Sequence, residues 1–307
     1  MCKAFLFSGQ GSQYVGMGKD LYENFPVFRD LVERAGHVLK RNLKTIIFDG
    51  PEDVLTMTNN AQPALLTMDY GIYAILEEMN LTHGAKFMAG HSLGEYAALV
   101  AAGVLSFEDA MYIVDKRGEL MALAGEEEPG TMAAIMGLDM HLIASICAGH
   151  EIDVANFNYA EQIVISGRVD NVLQAMESCK SHGAKRVVQL NVSGAFHSRL
   201  MKNSGAILAE TIKQVPFNTP KTPIIMNVVG EPVKDPAMIR KYLIAQVSSP
   251  VKWLHSMEHM VKHDVTHFIE CGPKNVLAGM VRRIDGDVTA YSTDTIGTIR
   301  SLSEVLV

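Results

Sequence analysis

The chain has 307 residues, of which 48% are apolar and 20% charged, and a formal net charge of −7. That balance predicts a globular protein with a sizeable core and argues against nucleic acid as a partner. No apolar run reaches the ~18 residues of a membrane span. Four scattered cysteines without a CxxC pair predict a reduced, cytoplasmic chain with neither disulfide framework nor zinc site.

The N-terminal "KAFLFSG" reads as a buried strand stopped by Gly9, and not as a signal peptide, because no charged region precedes a long apolar stretch. Helical spacing follows over 20–41 and over 63–79. "AKFMAG" (85–90) is a second buried strand and 93–102 a helix. "SFEDAMYIVDKRGELMALA" is a further helix, with Ser106 as N-cap and Asp109 at the capping-box position. Beyond the polar "GEEEPG" the rhythm becomes strand, helix, strand, strand, helix, strand, the order of a ferredoxin-like unit. From 194 onward helices alternate with the strands "PIIMNVVG" and "THFIECG" up to a final helix. The expectation is a larger α/β domain with a mainly parallel sheet, built from 1–126 and 194–307. A small lobe at 127–193 interrupts it, and a substrate cleft lies between the two.

"GHSLG" (90–94) matches G-x-S-x-G between a predicted strand and a predicted helix. Glycine two residues either side of a serine on a sharp turn lets strand and helix approach closely, and the helix N-terminus offers N–H groups to a developing oxyanion. The residues alone leave two readings open: Ser92 as a nucleophile, or as an ordinary cap of a buried helix. A nucleophilic serine needs a base. Among eleven histidines, His197 stands at a small-residue turn after a strand-like run, whereas His91 adjoins the serine and points away from it. A metal reading competes: "HSMEH" (His255–His259) fits H-x-x-E-H and His263 continues the stripe, but no third ligand has a supporting context.

Six segments in order, "FSGQGSQYVGMG", "GHSLGEYAALVAAG", "KRGELM", "SGAFHS", "AQVSSPVKW" and "ECGPKNVLAGM", resemble the malonyl-CoA:acyl carrier protein transacylases, a match running to about residue 284. The resemblance implies an α/β-hydrolase-like core with a ferredoxin-like inserted lobe. It implies Ser92 as acyl-accepting nucleophile, His197 as general base, and Gln10 with the Leu93 N–H as oxyanion hole. Arg117 would be the partner of the acyl carboxylate, Phe196 a filter against α-branched acyl groups, and Gln246 the residue whose main-chain carbonyl orients the histidine. No metal or cofactor is implied. The partners implied are malonyl-CoA as substrate and an acyl carrier protein of fatty acid or polyketide synthesis, served by a monomeric enzyme. Arg199, Lys202 and Lys274 are the basic residues expected to meet the carrier. "SGAFHSRLM" is similar to free-standing acyltransferases that serve polyketide synthases in trans. Ser8 replaces the proline common before "GQGSQ", which predicts a looser Gln10 loop. The alternatives are a serine thioesterase or hydrolase of related fold, which needs no Arg117, and a non-catalytic scaffold that docks carrier protein.

Overall fold

A computed structural model describes residues 2–306. Strand β1 (Lys3–Phe7) is buried at all five positions. The amphipathic stretch 20–41 divides into α1 (Lys19–Asn24) and α2 (Pro26–Leu39). Phe25 is extended between them and Pro26 takes the first helical position, where its missing N–H costs nothing. After the short α3 (Leu43–Phe48) and α4 (Glu52–Thr56), α5 (Thr58–Glu78) begins ahead of the predicted Pro63. The helix tolerates this proline because the Asn59 carbonyl, which an N–H at 63 would have met, accepts from Arg41 Nη2 at 2.7 Å.

Next come β2 (Ala85–Gly90), α6 (Gly94–Ala101) and α7 (Phe107–Glu127). Ser106 caps α7 by accepting from the Asp109 N–H at 3.0 Å. Helix α7 continues through Gly125, Glu126 and Glu127, so half of the expected polar junction is helical. A second sheet follows, from β3 (Gly130–Met136), α8 (Met140–Gly149), β4 (Asp153–Tyr159), β5 (Gln162–Arg168), α9 (Val169–Ser181) and β6 (Arg186–Gln189). Its antiparallel strands lie in the order β4-β5-β3-β6. Period-2 alternation assigns its faces: Ala133, Ile135, Ile163 and Ile165 pack on α8 and α9, while Met132, Ala134 and Val164 face Met121, Phe196 and Val247 of the larger part.

The chain then forms α10 (Lys202–Lys213), β7 (Ile224–Met226), β8 (Glu231–Val233), α11 (Pro236–Gln246) and α12 (Trp253–Lys262). It ends with β9 (His267–Cys271), α13 (Val276–Ile284), β10 (Thr289–Ser292) and α14 (Ile296–Leu306). Strands β8 and β10 escape the sequence reading because they are short, partly polar edges with too few residues to show a period. The six-stranded sheet runs β10-β9-β1-β2-β7-β8, parallel except for β8. Phe5 and Phe7 pack toward α2, α5, α6 and α7, whereas Ala4 and Leu6 pack toward α12 and α13. Helices on both faces explain why β1 reads as a continuous apolar run. No described helix is long and apolar enough to cross a membrane.

Register fixes where the loops gather. Phe7 pairs with Gly90 on one side and Cys271 on the other, so three strands end level. The segments 8–13, 91–93 and 272–275 therefore sit side by side at the carboxyl edge of a parallel sheet, where such folds bind ligands. Closeness demands the two glycines: a Cβ on Gly90 would lie 1.9 Å from the Gly94 carbonyl carbon, and one on Gly94 would lie 2.1 Å from the Phe7 oxygen. Gly94→Ala is expected to destabilise the fold by about 3 kcal/mol. Gly279→Ala, whose Cβ would meet nothing within 4 Å in mid-helix, is expected to be neutral or stabilising. Urea midpoints of the two variants check the contrast.

Candidate active site

Ser92 sits in the three-residue link between β2 and α6 with φ of 52°, in the left-handed region. That conformation costs a non-glycine residue about 1–3 kcal/mol, so the surroundings must hold it. They do so at both main-chain atoms. Asn227, just after β7, accepts from the Ser92 N–H through Oδ1 at 2.8 Å and donates through Nδ2 to the Gly90 carbonyl at 2.7 Å. Gln246 Nε2, at the end of α11, donates to the Ser92 carbonyl at 2.7 Å.

The hydroxyl faces two groups. Ser92 Oγ lies 2.7 Å from His197 Nε2 and accepts from Arg117 Nη2 at 3.0 Å. His197 is also left-handed, with φ of 56°. Its Nδ1–H donates to the carbonyls of Gln246 at 3.0 Å and Ser249 at 3.1 Å. Two acceptors fix the tautomer and leave the Nε2 lone pair for the serine proton. These acceptors cluster at the carboxyl end of α11, where the helix dipole favours a developing imidazolium, while the amino end of α6 lies beside Ser92. Among the described residues no carboxylate hydrogen-bonds to the ring. Burial, and next the charge of Arg117, pull the His197 pKa down to about 3.

Arg117, in the middle of α7, is 1% exposed. Its Nη1 donates to Gln62 Oε1 at 2.6 Å and its Nη2 to Gln246 Oε1 at 3.1 Å, over the ring of Tyr96. Nε has no partner and no carboxylate forms an ion pair with it among the described residues. Burial works against its charge, opposed by Tyr96 and Glu95. A buried guanidinium with neutral partners is unfavourable until an anion joins it.

Ser92, His197, Arg117, Gln10 and Phe196 line one cavity of about 310 Å³, with Met132 and Val164 of the second sheet on its wall. Gln10 Nε2 donates to Thr58 Oγ1 at 3.2 Å, which leaves its main-chain N–H as the Gln10 donor without a partner among the described residues. Neither that N–H nor the one of Leu93 has an acceptor among the described residues. Phe196 is 5% exposed and packs on Met121 and Met132. The loop carrying Gln10 is anchored, contrary to the expectation from Ser8: Ser8 Oγ donates to the buried Asp69 at 2.8 Å, and Ser12 Oγ lies 3.0 Å from Ser8 Oγ. Outside, Lys274 Nζ donates to the Gln13 carbonyl at 3.2 Å, and Asp294 accepts from Tyr14 Oη and from the Lys274 N–H.

Other candidates lie elsewhere. His91 turns from the serine to Asn158, 3.0 Å away, and against Trp253. His259 and His263 stack at 4.1 Å with their edges toward Phe87, and His255 stands edge-on to Phe157. Among the described residues no three His, Cys, Asp or Glu side chains are placed to hold a metal. Arg199 is paired with Asp153 at 2.8 Å, while Lys202 at the start of α10 is exposed and makes no ion pair among the described residues. Sequence reasoning missed Gln62, Glu95, Asn227 and Ser249, and the side-chain role of Gln246. One signal was available: Glu95 is the lone charge in an apolar run from 93 to 105.

A serine at a strand-to-helix turn, a histidine on its hydroxyl and two free amides beside it define the class of serine-dependent acyl-transfer folds. A family profile described as "Acyl transferase domain" matches residues 4–299. The malonyl CoA-acyl carrier protein transacylase of Bacillus subtilis is 44% identical over 99% of this chain and 96% of its own length. An acyl-carrier-protein-S-malonyltransferase structure from Bartonella henselae superposes with TM-score 0.95 at 40% identity, covering 100% of this chain and 99% of that one. A malonyl-transacylase solved in complex with a type II polyketide synthase acyl-carrier protein gives 0.96 at 36% identity, over 99% and 100%. The chain belongs to the malonyl CoA-acyl carrier protein transacylase family.

Proposed function

We propose that this chain moves a malonyl group from malonyl-CoA, through an ester on Ser92, to the phosphopantetheine thiol of an acyl carrier protein of fatty acid or polyketide synthesis. The observation that carries this reading is the buried Arg117, which faces the serine hydroxyl without a carboxylate of its own. A planar guanidinium binds a carboxylate through two parallel hydrogen bonds, and the far end of a malonyl group supplies one.

The steps follow from the geometry. His197 Nε2 takes the Ser92 proton as Oγ attacks the thioester carbonyl, and the N–H groups of Gln10 and Leu93 receive the oxyanion. The intermediate collapses, CoA leaves, and the proton on Nε2 goes to its sulfur. The carrier thiol then gives its proton to the same nitrogen and attacks the malonyl-serine ester; Oγ leaves and takes the proton back from Nε2, which restores Ser92 and neutral His197. Main-chain carbonyls stand behind His197 in place of an aspartate, and they hold its tautomer without a charge against the ring. Phe196 crowds the space that an α-branch would need. Arg199, Lys202 and Lys274 are the proposed contacts to an acidic carrier, with Lys202 the freest of them.

For the architecture we infer an α/β-hydrolase-like core of 1–126 and 194–307 with a ferredoxin-like lobe at 127–193. The strand order of the second sheet and its two helices on one face support this. The protein is read as a cytoplasmic monomer that uses no cofactor.

Incubation with malonyl-CoA and intact-mass measurement tests the proposal. The expected result is a malonyl adduct on Ser92 that carrier protein discharges far faster than water. Release of free malonate without dependence on carrier would make the chain a hydrolase.

A further inference from the structure

Behind the serine lies one ionisable group that the transfer chemistry does not use. Glu95, on the first turn of α6, is 0% exposed. Its Oε1 accepts from the Asn227 N–H at 2.6 Å, and its Oε2 accepts from Gln246 Nε2 at 2.6 Å. These two partners are the residues that grip Ser92, Asn227 at its N–H and Gln246 at its carbonyl. Gln246 also accepts from Arg117 through Oε1 and from His197 through its main-chain oxygen. One carboxylate thus stands behind the nucleophile, its base and the guanidinium.

Chemistry gives that carboxylate a sorting role. An ionised carboxylate only accepts, so it demands an N–H from both neighbours. This selects the Gln246 amide orientation in which Nε2 serves Glu95 and Ser92 while Oε1 serves Arg117. The flipped amide would aim an oxygen at the carboxylate and at the Ser92 carbonyl, and an NH2 at the guanidinium.

We propose that Glu95 is a positioning residue: its carboxylate orients Gln246 and Asn227, which hold Ser92, Arg117 and His197 in register, and its protonation loosens that register. The inference rests on the transfer reading only where malonyl-CoA is the assay substrate. Burial pushes the Glu95 pKa up to about 7, against the hydrogen bonds from Asn227 and Gln246 and the charge of Arg117. Arg117 faces it from α7 and Tyr96 shares its helix, while Asn227 and Gln246 face it uncharged. Helix α5 directs Gln62 to Arg117 and Asp69 to Ser8. His197 stays neutral far below this range. Glu95→Gln keeps His197 and removes the carboxylate, so loss of the acid limb in that variant assigns a fall near neutrality to Glu95.

The test labels Ser92 with phenylmethanesulfonyl fluoride, a neutral reagent, and reads the adduct by intact mass from mildly acidic to mildly alkaline pH. Malonyl transfer to carrier is measured in parallel for the wild type, Glu95→Gln and Glu95→Asp. The expected wild-type labelling rate falls on the acid side with a midpoint near 7. Folded Glu95→Gln loses that limb, and its kcat drops about a hundredfold, the scale of a small misplacement of reacting groups, with little change in KM. Glu95→Asp keeps a titrating limb with a moved midpoint. A flat wild-type profile overturns the proposal even if neither variant folds, and so does an unmoved limb in folded Glu95→Gln. Because the reagent needs no malonyl group, a failed transfer reading leaves the labelling result intact.

Discussion

Ser92→Ala is expected to lower malonyl transfer by at least about 10⁴-fold and to remove the acyl adduct altogether. The reason is local: Oγ at 2.7 Å from His197 Nε2 is the group that meets the base, and the Gln10 loop lines the same cavity. His197→Ala is expected to be comparably severe, since a serine without its base is a poor nucleophile at neutral pH. The two losses are not additive. A nucleophile and its base act as one unit, so the double variant is expected to be little worse than either single one. Steady-state transfer rates for the three variants, with intact mass as a check on acylation, decide this. Independent, multiplying losses would mean that His197 acts elsewhere. Stability points the other way for the serine: alanine at 92 keeps the left-handed strain while removing an acceptor from Arg117, so no gain in melting temperature is expected.

Arg117→Ala is expected to reduce kcat/KM for malonyl-CoA by about 10²–10⁴-fold, the scale of leaving a buried carboxylate without its partner at ~3–5 kcal/mol. Acetyl-CoA should respond oppositely. In the resting site Nη2 donates to the very oxygen that must attack, and the cation is the second cause of the depressed His197 pKa. A malonyl carboxylate draws the guanidinium away and cancels its charge; an acetyl group can do neither. Removing the arginine therefore frees the hydroxyl and strengthens the base for uncharged cargo. The measurement is the ratio of kcat/KM for the two thioesters, and an unchanged ratio would refute the role. Arg117→Met carries a further expectation, that the fold gains no stability: it removes a buried charge with an orphaned Nε but strands the Gln62 and Gln246 amide oxygens to which the guanidinium donates. Urea midpoints check this.

What the sequence showed, it showed through local constraint. G-x-S-x-G was legible because sterics act within five residues: the close approaches at Gly90 and Gly94 tolerate only hydrogen. The buried strands were legible because both sheet faces are covered, and the alternating lobe because its elements are regular. Segment ends followed proline and tertiary contacts that no window contains, as at Phe25–Pro26 and at Pro63, rescued by Arg41. The frame behind the serine was hidden for another reason. Asn227 and Gln246 lie 135 and 154 positions from Ser92 in the chain, and nothing in their neighbourhoods marks them as its supports. Glu95 was visible as a misplaced charge in an apolar helix, but its meaning needed its partners. Residue roles came from the ordered motifs of the family; Ser92, His197, Arg117, Gln10 and Phe196 line one cavity, and Gln246 reaches it through its bonds to Arg117, His197 and the Ser92 carbonyl.

The placement of β1 between β2 and β9, with the Gln10 loop clasped by Lys274 and Asp294, has a consequence for how the protein is made. Strand β1 lies inside the sheet and waits for β9, which is synthesised after β2, β7 and β8. A nascent chain can build the antiparallel sheet early, because its contacts are close in sequence. It cannot settle the loop beside the nucleophile until Lys274 and Asp294 have emerged. Translation thus delivers the serine, the arginine and the histidine before the segment that clasps the loop, so a product that stops between His197 and Lys274 carries every reactive group and no finished pocket.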